Sequence, residues 1–230
     1  GTLRCWGRND YGQVGDASNT ARTAPVTVDS GTTYSKIEVG YQSTCGITTG
    51  GALKCWGRNN NDQLGDGSGT NRNTPLVITS GTSYLDVAVA TNHACAIRAT
   101  GGRVVCWGLG TTGQIGNNAS SSQSTPTLTS DTSAYTKVSV SEVNSCGIRA
   151  TGELMCWGGW VDGIAGELAV NADVPVQIDS TYSFTDIEMG RYRACARTDA
   201  QEIRCWGNNW YNAFGDFERA WIPQALPAPF

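Results

Sequence analysis

An all-β fold of repeated four-stranded antiparallel units, a β-propeller, is what this sequence predicts, and three observations predict it. The triplet Cys-Trp-Gly opens at Cys5, Cys55, Cys106, Cys156 and Cys205, at steps of 50, 51, 50 and 49 residues. A second cysteine stands ten or eleven residues before four of them, at Cys45, Cys95, Cys146 and Cys195. Between these landmarks lie short apolar alternations, and no stretch carries helical periodicity. Short antiparallel strands repeating every fifty residues or so are the mark of a propeller blade.

Each element of the unit follows from its residues. Cys45 to Gly57 reads as two strands around a turn centred on Gly50, which sets Cys45 opposite Cys55 and Ile47 opposite Leu53. The pairs Cys45–Cys55, Cys95–Cys106, Cys146–Cys156 and Cys195–Cys205 are therefore expected as cross-strand disulfides, leaving Cys5 unpaired. Zinc prefers cysteines two to four residues apart, and the chain has 1 His. The pair Cys95–Cys106 encloses one extra residue, which predicts a bulge or longer loop at Gly101-Gly102.

Ahead of each first cysteine comes an alternating run: Ile37-Glu38-Val39, Val87-Ala88-Val89, Val138-Ser139-Val140 and Ile187-Glu188-Met189. These read as first strands with one buried face. After each Trp-Gly comes a polar loop, and Thr74-Pro75-Leu76-Val77-Ile78 then reads as a fourth strand, its proline suited to an outer edge. Units starting near 5, 55, 106, 156 and 205 divide residues 1–230 into four full blades behind an N-terminal half blade. They form one propeller domain or a fragment of one, with a missing partner for Cys5 expected ten residues before it.

Thr44-Cys45-Gly46-Ile47, Gly51, Cys55-Trp56-Gly57-Arg58-Asn59 and Gln63-Leu64-Gly65-Asp66-Gly67, with Pro75, resemble the repeat of the regulator of chromosome condensation family. Gly12-Gln13-Val14-Gly15 and Gly113-Gln114-Ile115-Gly116 carry the same Gly-Gln-x-Gly element. The resemblance runs through every unit and implies a propeller, usually seven-bladed; this chain falls short of that ring, so either it is a piece of a longer polypeptide or its ring closes in an unusual way. It does not fix an activity: propellers of this kind serve in nucleotide exchange, ubiquitin ligation and secreted inhibition of β-lactamases.

Composition narrows the function. The net charge of −4 gives no basic footprint for nucleic acid. No apolar run reaches the roughly 20 residues of a membrane span. Regular paired cysteines point to an oxidising, secreted or cell-surface setting, which disfavours a nuclear exchange factor. No nucleophile motif, phosphate loop or carboxylate pair argues for catalysis, and no metal or other cofactor is expected. The Gly-Asp pairs at Asp16, Asp66 and Asp216 read as loop caps, and His93 as a surface or strand-edge histidine. Each Cys-Trp-Gly tryptophan (Trp6, Trp56, Trp107, Trp157 and Trp206) is expected to pack between neighbouring units. Asn118-Ala119-Ser120 is a glycan acceptor only in eukaryotic secretion.

What varies is the loop between first and second strands: Tyr41-Gln42-Ser43, Thr91-Asn92-His93, Glu142-Val143-Asn144 and Arg191-Tyr192-Arg193. These loops share a face with the loops between third and fourth strands, where Tyr11, Trp160, Trp210 and Tyr211 stand. Divergent aromatic and polar tips on a constant scaffold predict a binding surface. It is expected to be richest where the last two units lose the Gly-Gln-x-Gly glutamine and gain aromatics, with Arg191, Tyr192 and Arg193 beside them. A binding module for a protein or glycan, in recognition or adhesion, is the expected role. A secreted enzyme inhibitor is the alternative, and association with a larger polypeptide is expected in either case.

Overall fold

The computed structural model describes residues 2–159, 171–208 and 219–225. Its first sheet has two strands, β1 (Arg4–Gly7) and β2 (Arg22–Thr27). Four antiparallel sheets of four strands follow. Blade one holds β3 (Tyr34–Val39), β4 (Ser43–Thr48), β5 (Leu53–Gly57) and β6 (Arg72–Val77). Blade two holds β7 (Tyr84–Val89), β8 (His93–Arg98), β9 (Val104–Gly108) and β10 (Gln123–Leu128). Blade three holds β11 (Tyr135–Val140), β12 (Asn144–Arg149), β13 (Leu154–Gly158) and β14 (Ala172–Asp179). Blade four holds β15 (Phe184–Met189), β16 (Arg193–Thr198), β17 (Ile203–Asn208) and β18 (Arg219–Ala225). Every neighbour within a blade is also the next strand in sequence. The described residues contain no helix.

The register is the one the cysteine spacing demands. Cys45 faces Cys55 and Ile47 faces Leu53, and all four expected disulfides are formed while Cys5 is free. The extra residue of the Cys95–Cys106 hairpin sits in its loop, where Gly101 and Gly102 both have positive φ. The Cys195–Cys205 turn has no glycine. Gln201 takes the left-handed conformation there, φ 67°, that Gly51 and Gly152 take in the related turns. Each outer strand carries a proline, at Pro25, Pro75, Pro126, Pro175 and Pro223, and its register slips beside the Trp-Gly step of its partner. A residue with no N–H is tolerated at such an irregular outer edge.

The core lies between blades. Three of the disulfides pack on the first strand of the following blade: Cys45 and Cys55 with Tyr84 and Val87, Cys95 and Cys106 with Tyr135 and Val138, Cys146 and Cys156 with Phe184 and Ile187. The Cys-Trp-Gly tryptophan faces the other way, onto the preceding unit. Trp56, Trp107 and Trp157 are fully buried and donate their indole N–H to the carbonyls of Gln13, Gln63 and Gln114 at 2.9–3.0 Å. Gly15, Gly65 and Gly116 lie flat on those rings, where a Cβ would stand 2.6–2.7 Å from an indole atom. The two repeat motifs are thus halves of one joint between consecutive units.

Among the described residues Trp6 is 62% exposed, unlike the buried Trp56, Trp107, Trp157 and Trp206. One expectation is corrected. His93 is not at the surface: it is fully buried, with Nε2 2.9 Å from the Ser145 hydroxyl of the next blade, which itself donates to the Gln114 carbonyl. Burial pushes its pKa down to about 4. The Gly-Asp reading holds for Asp16 and Asp66. Each accepts from a serine two residues on, from the Asn of its own loop and from an arginine of the outer strand (Arg22 or Arg72). Asp216 lies outside the described residues. Asn118 is exposed, and its own N–H is bonded to Asp173 of the next blade.

Candidate binding site at the mouth of the axis

The first strands β3, β7, β11 and β15 stand side by side along the inner edges of the blades. Each ends in the same tight turn, closed by one backbone bond: Gly40 N–H to Ser43, Ala90 to His93, Ser141 to Asn144 and Gly190 to Arg193, all at 2.8–2.9 Å. Two residues are left at each tip. The carbonyl of the second accepts the N–H of the residue after the Trp-Gly step: Arg58 to Gln42, Leu109 to Asn92, Gly159 to Val143 and Asn208 to Tyr192. That approach requires the glycine. At Gly57, Gly108 and Gly158, φ is +97° to +112°, and a Cβ would lie 2.3–2.5 Å from the accepting oxygen. The scaffold beneath the tips is therefore fixed by backbone alone, which leaves the side chains free to differ.

The first tip residues, Tyr41, Thr91, Glu142 and Arg191, form the rim of a cavity of about 500 Å³ at the end of the axis. Its floor is apolar, made by the last residues of the four first strands, Val39, Val89, Val140 and Met189. The rim is cross-linked on one side. Thr91 donates to Glu142 at 3.2 Å, Glu142 lies 3.6 Å from Arg191 Nε, and the Arg191 guanidinium sits 4.9 Å from the Tyr192 ring centre. Farther out, Arg58 donates to Gln42 and lies 5.8 Å from the Tyr11 ring centre, while Asn61 donates to Asn92. Tyr41 is 71% exposed and Val39 72%.

Of the residues expected at the site, Tyr41 and Arg191 line the cavity. Tyr192 is half-buried below Arg191, Tyr11 is half-buried beneath Arg58, and Arg193 is exposed at the start of β16. Trp160, Trp210 and Tyr211 lie outside the described residues. The cavity draws on all four blades rather than on the last two units. Sequence reasoning placed Thr91 and Glu142 in the variable loops of this face without singling them out, and it did not select the floor residues. The available signal was position: each rim residue is the first tip residue, two places after the end of a first strand.

The described residues contain no cluster of His, Cys, Asp and Glu suited to a metal ion, and no helix long and apolar enough to cross a membrane.

Comparison with known proteins finds a repeat family in the first part of the chain. The model of the regulator of chromosome condensation repeat matches residues 1–47 and 51–97, and a second model of the same repeat matches residues 34–63. Residues 1–97 thus match regulator of chromosome condensation repeats. The fold agrees throughout. Human WBSCR16 superposes with a TM-score of 0.85 at 20% identity, over 96% of this chain and 61% of that one. Yeast RCC1 (Prp20), in its complex with Kap60, gives 0.78 at 18% identity, over 99% of this chain and 56% of that one. The ectodomain of the Arabidopsis thaliana receptor kinase ACR4 gives 0.54 at 18% identity, over 90% and 56%. The chain thus spans about three fifths of the length of these structures. Comparison with curated protein sequences gives no match.

Proposed function

We propose that this repeat array is a binding module that grips a protein partner at the mouth of its axis, in an oxidising, extracellular or cell-surface setting. The observation that carries the reading is the cavity itself: identical backbone turns from four blades present four different side chains around one apolar floor. That is the layout of a recognition surface, with polar groups at the rim around an apolar centre. Tyrosine and arginine at the rim are the residue types that most often dominate interface energetics. A protein is favoured over a glycan because the floor is aliphatic and no aromatic platform lies on it. Yeast RCC1, which shares the fold, is itself seen bound to a protein, Kap60. Four disulfides support the oxidising setting, and the ACR4 relative is an ectodomain. Association with a larger polypeptide fits the chain's share of its structural relatives.

The test is affinity capture from the extracellular fraction of the source, with three immobilised baits: the unaltered chain, Tyr41→Ala and Arg191→Ala. A protein held by the first and lost from both variants supports the reading. Equal retention on all three would move the site away from the axis.

A further inference from the structure

The tips around the mouth are not tied to their neighbours alike. The tip of blade two is held onto blade one: the Gln63 side chain donates to the Thr91 carbonyl at 3.1 Å, and Asn61 donates to the Asn92 side chain at 2.8 Å. The tip of blade three leans on blade four, with Glu142 3.6 Å from Arg191. Between blades two and three the counterpart of Gln63 is Gln114. It is fully buried, and its Nε2 has no hydrogen-bond partner. His93 Nδ1, in the same seam, is buried and unpartnered as well. Such groups forfeit a hydration that opening restores. The two tips meet through Thr91 and Glu142 at the rim, 3.2 Å apart, and through His93 Nε2 and Ser145 Oγ below it, 2.9 Å apart.

His93 anchors both tips. Its carbonyl accepts the Ala90 N–H that closes the tip of blade two, and Ser145 follows Asn144, whose carbonyl accepts the Ser141 N–H that closes the tip of blade three. The Ser145 hydroxyl donates to the Gln114 carbonyl, so it accepts from Nε2–H and leaves Nδ1 as the bare nitrogen. A second proton would therefore enter at Nδ1, where no acceptor stands. The chain has 1 His. Ser43 and Asn144 hold its place in blades one and three, and neither titrates. The ionisable groups on the surrounding elements are Asp86 on β7, Arg98 at the far end of β8, Lys137 on β11, Arg149 at the far end of β12, and Glu142 at the tip of blade three. β9 and the loop 109–116 carry none. Asp86 binds Lys36 and the Val138 N–H, Lys137 pairs with Asp186, and Arg149 with Asp131. Burial lowers the His93 pKa, a hydrogen bond to the Asn144 backbone opposes it, and no charged group contributes.

We propose that His93 makes the mouth a proton-operated clasp. Near neutral pH the tips of blades two and three stand together and the partner is held. In mildly acidic medium the seam between them opens, the rim parts between Thr91 and Glu142, and the partner is released. This rests on the mouth being the binding surface. The seam also crosses the floor between Val89 and Val140, so opening it divides the apolar surface that the partner covers. The opened imidazole takes its proton from water at Nδ1, and the charged ring cannot return to a site that offers it no second acceptor. With the opened histidine at its ordinary 6.5 and the closed one at about 4, the ratio of open to closed seam rises about twenty-fivefold from pH 7.4 to pH 5. Partner affinity falls by up to about that factor, because only the closed mouth binds.

Hydrogen exchange on the chain alone tests the seam. Between pH 7.4 and pH 5, the protection factors of the Ala90 and Ser141 amides are expected to fall by up to about twenty-fivefold. That of Gly40, in the equivalent turn of blade one, is expected to hold. In His93→Asn and His93→Ser, which carry the residues of the neighbouring blades, all three should hold. Unchanged protection of Ala90 and Ser141 in the parent, or a fall no larger than that of Gly40, would overturn the proposal. So would an equal fall in the variants. Binding of the captured partner tests the consequence: the parent should lose affinity between pH 7.4 and pH 5, and His93→Asn should keep it. Equal losses in the two, or no loss in the parent, would overturn release by this route. A chain that captures no partner through Tyr41 at pH 7.4 fails the binding reading instead, and the exchange result still decides whether the seam opens.

Discussion

Trp107 of blade two donates its indole N–H to the backbone carbonyl of Gln63 in blade one, at 2.9 Å and with both residues fully buried. The same bond joins Trp56 to Gln13 and Trp157 to Gln114. It explains why Cys-Trp-Gly and Gly-Gln-x-Gly recur together: one supplies a flat donor, the other a backbone carbonyl beside a residue with no side chain. An array whose units touch mainly their neighbours draws its stability from such joints.

Trp107→Phe is expected to destabilise the chain by about 1–3 kcal/mol, because it strands a buried carbonyl without a donor. Gly65→Ala should cost at least as much, since the new Cβ would meet the Trp107 ring at 2.7 Å from a backbone with φ +75°. Urea unfolding of the two variants measures both losses.

Replacing both Cys95 and Cys106 by alanine should lower stability by about 2–5 kcal/mol. The bond lies in the packed seam against Tyr135 and Val138, so the loss combines a freer unfolded chain with a poorer seam. Thermal unfolding of the double variant against the parent measures it. A parent insensitive to reducing agent throughout its unfolding transition would contradict the disulfide.

His93 gives the chain a specific acid sensitivity. Its folded-state pKa lies at about 4 against an ordinary 6.5, because burial disfavours the imidazolium. The unfolded chain therefore binds this proton more readily than the folded one. The contribution is complete above pH 6.5 and is lost as pH falls towards 4, reaching about 3 kcal/mol at most. Asp131, held down to about 2 by hydrogen bonds from Tyr135, Ser133 and Arg149 against its own burial, loses its contribution only below 3.8. Glu188 acts in the opposite direction, since burial first and facing Glu38 second raise its pKa. Comparing His93→Asn with the parent isolates the histidine: the difference in stability between them should vary with pH only between about 6.5 and 4.

Much of this was legible because the chain repeats itself. Strand order, register and all four disulfides follow from the distance between one cysteine and the next. What lay hidden depends on the neighbour rather than on the unit. His93 looks like Ser43 and Asn144 in its own loop, and only the approach of Ser145 from blade three shows why an imidazole can be buried there. The cavity floor was harder still. Val39, Val89, Val140 and Met189 are ordinary strand-end residues in sequence, and they become one surface only when four blades are set around an axis.

The rim pair Glu142–Arg191 offers the sharpest test of whether the mouth reads a partner or merely holds its own shape. The two side chains are 27% and 67% exposed, and a pair so open to solvent contributes about 0–1 kcal/mol. Glu142→Arg and Arg191→Glu should therefore each shift Tm very little. The doubly exchanged variant restores the pair with its signs reversed, and its stability should match that of the parent. Partner affinity should behave otherwise. If the partner reads the charges in place, each single variant weakens binding and the double exchange fails to rescue it. A loss of about 2 kcal/mol, some thirtyfold in Kd, is expected for a residue at the centre of the contact. Titration calorimetry with the captured partner at two salt concentrations measures both the loss and its screening. If the double exchange recovered full affinity, the pair would serve only to brace the rim, and recognition would rest on Tyr41 and the aliphatic floor.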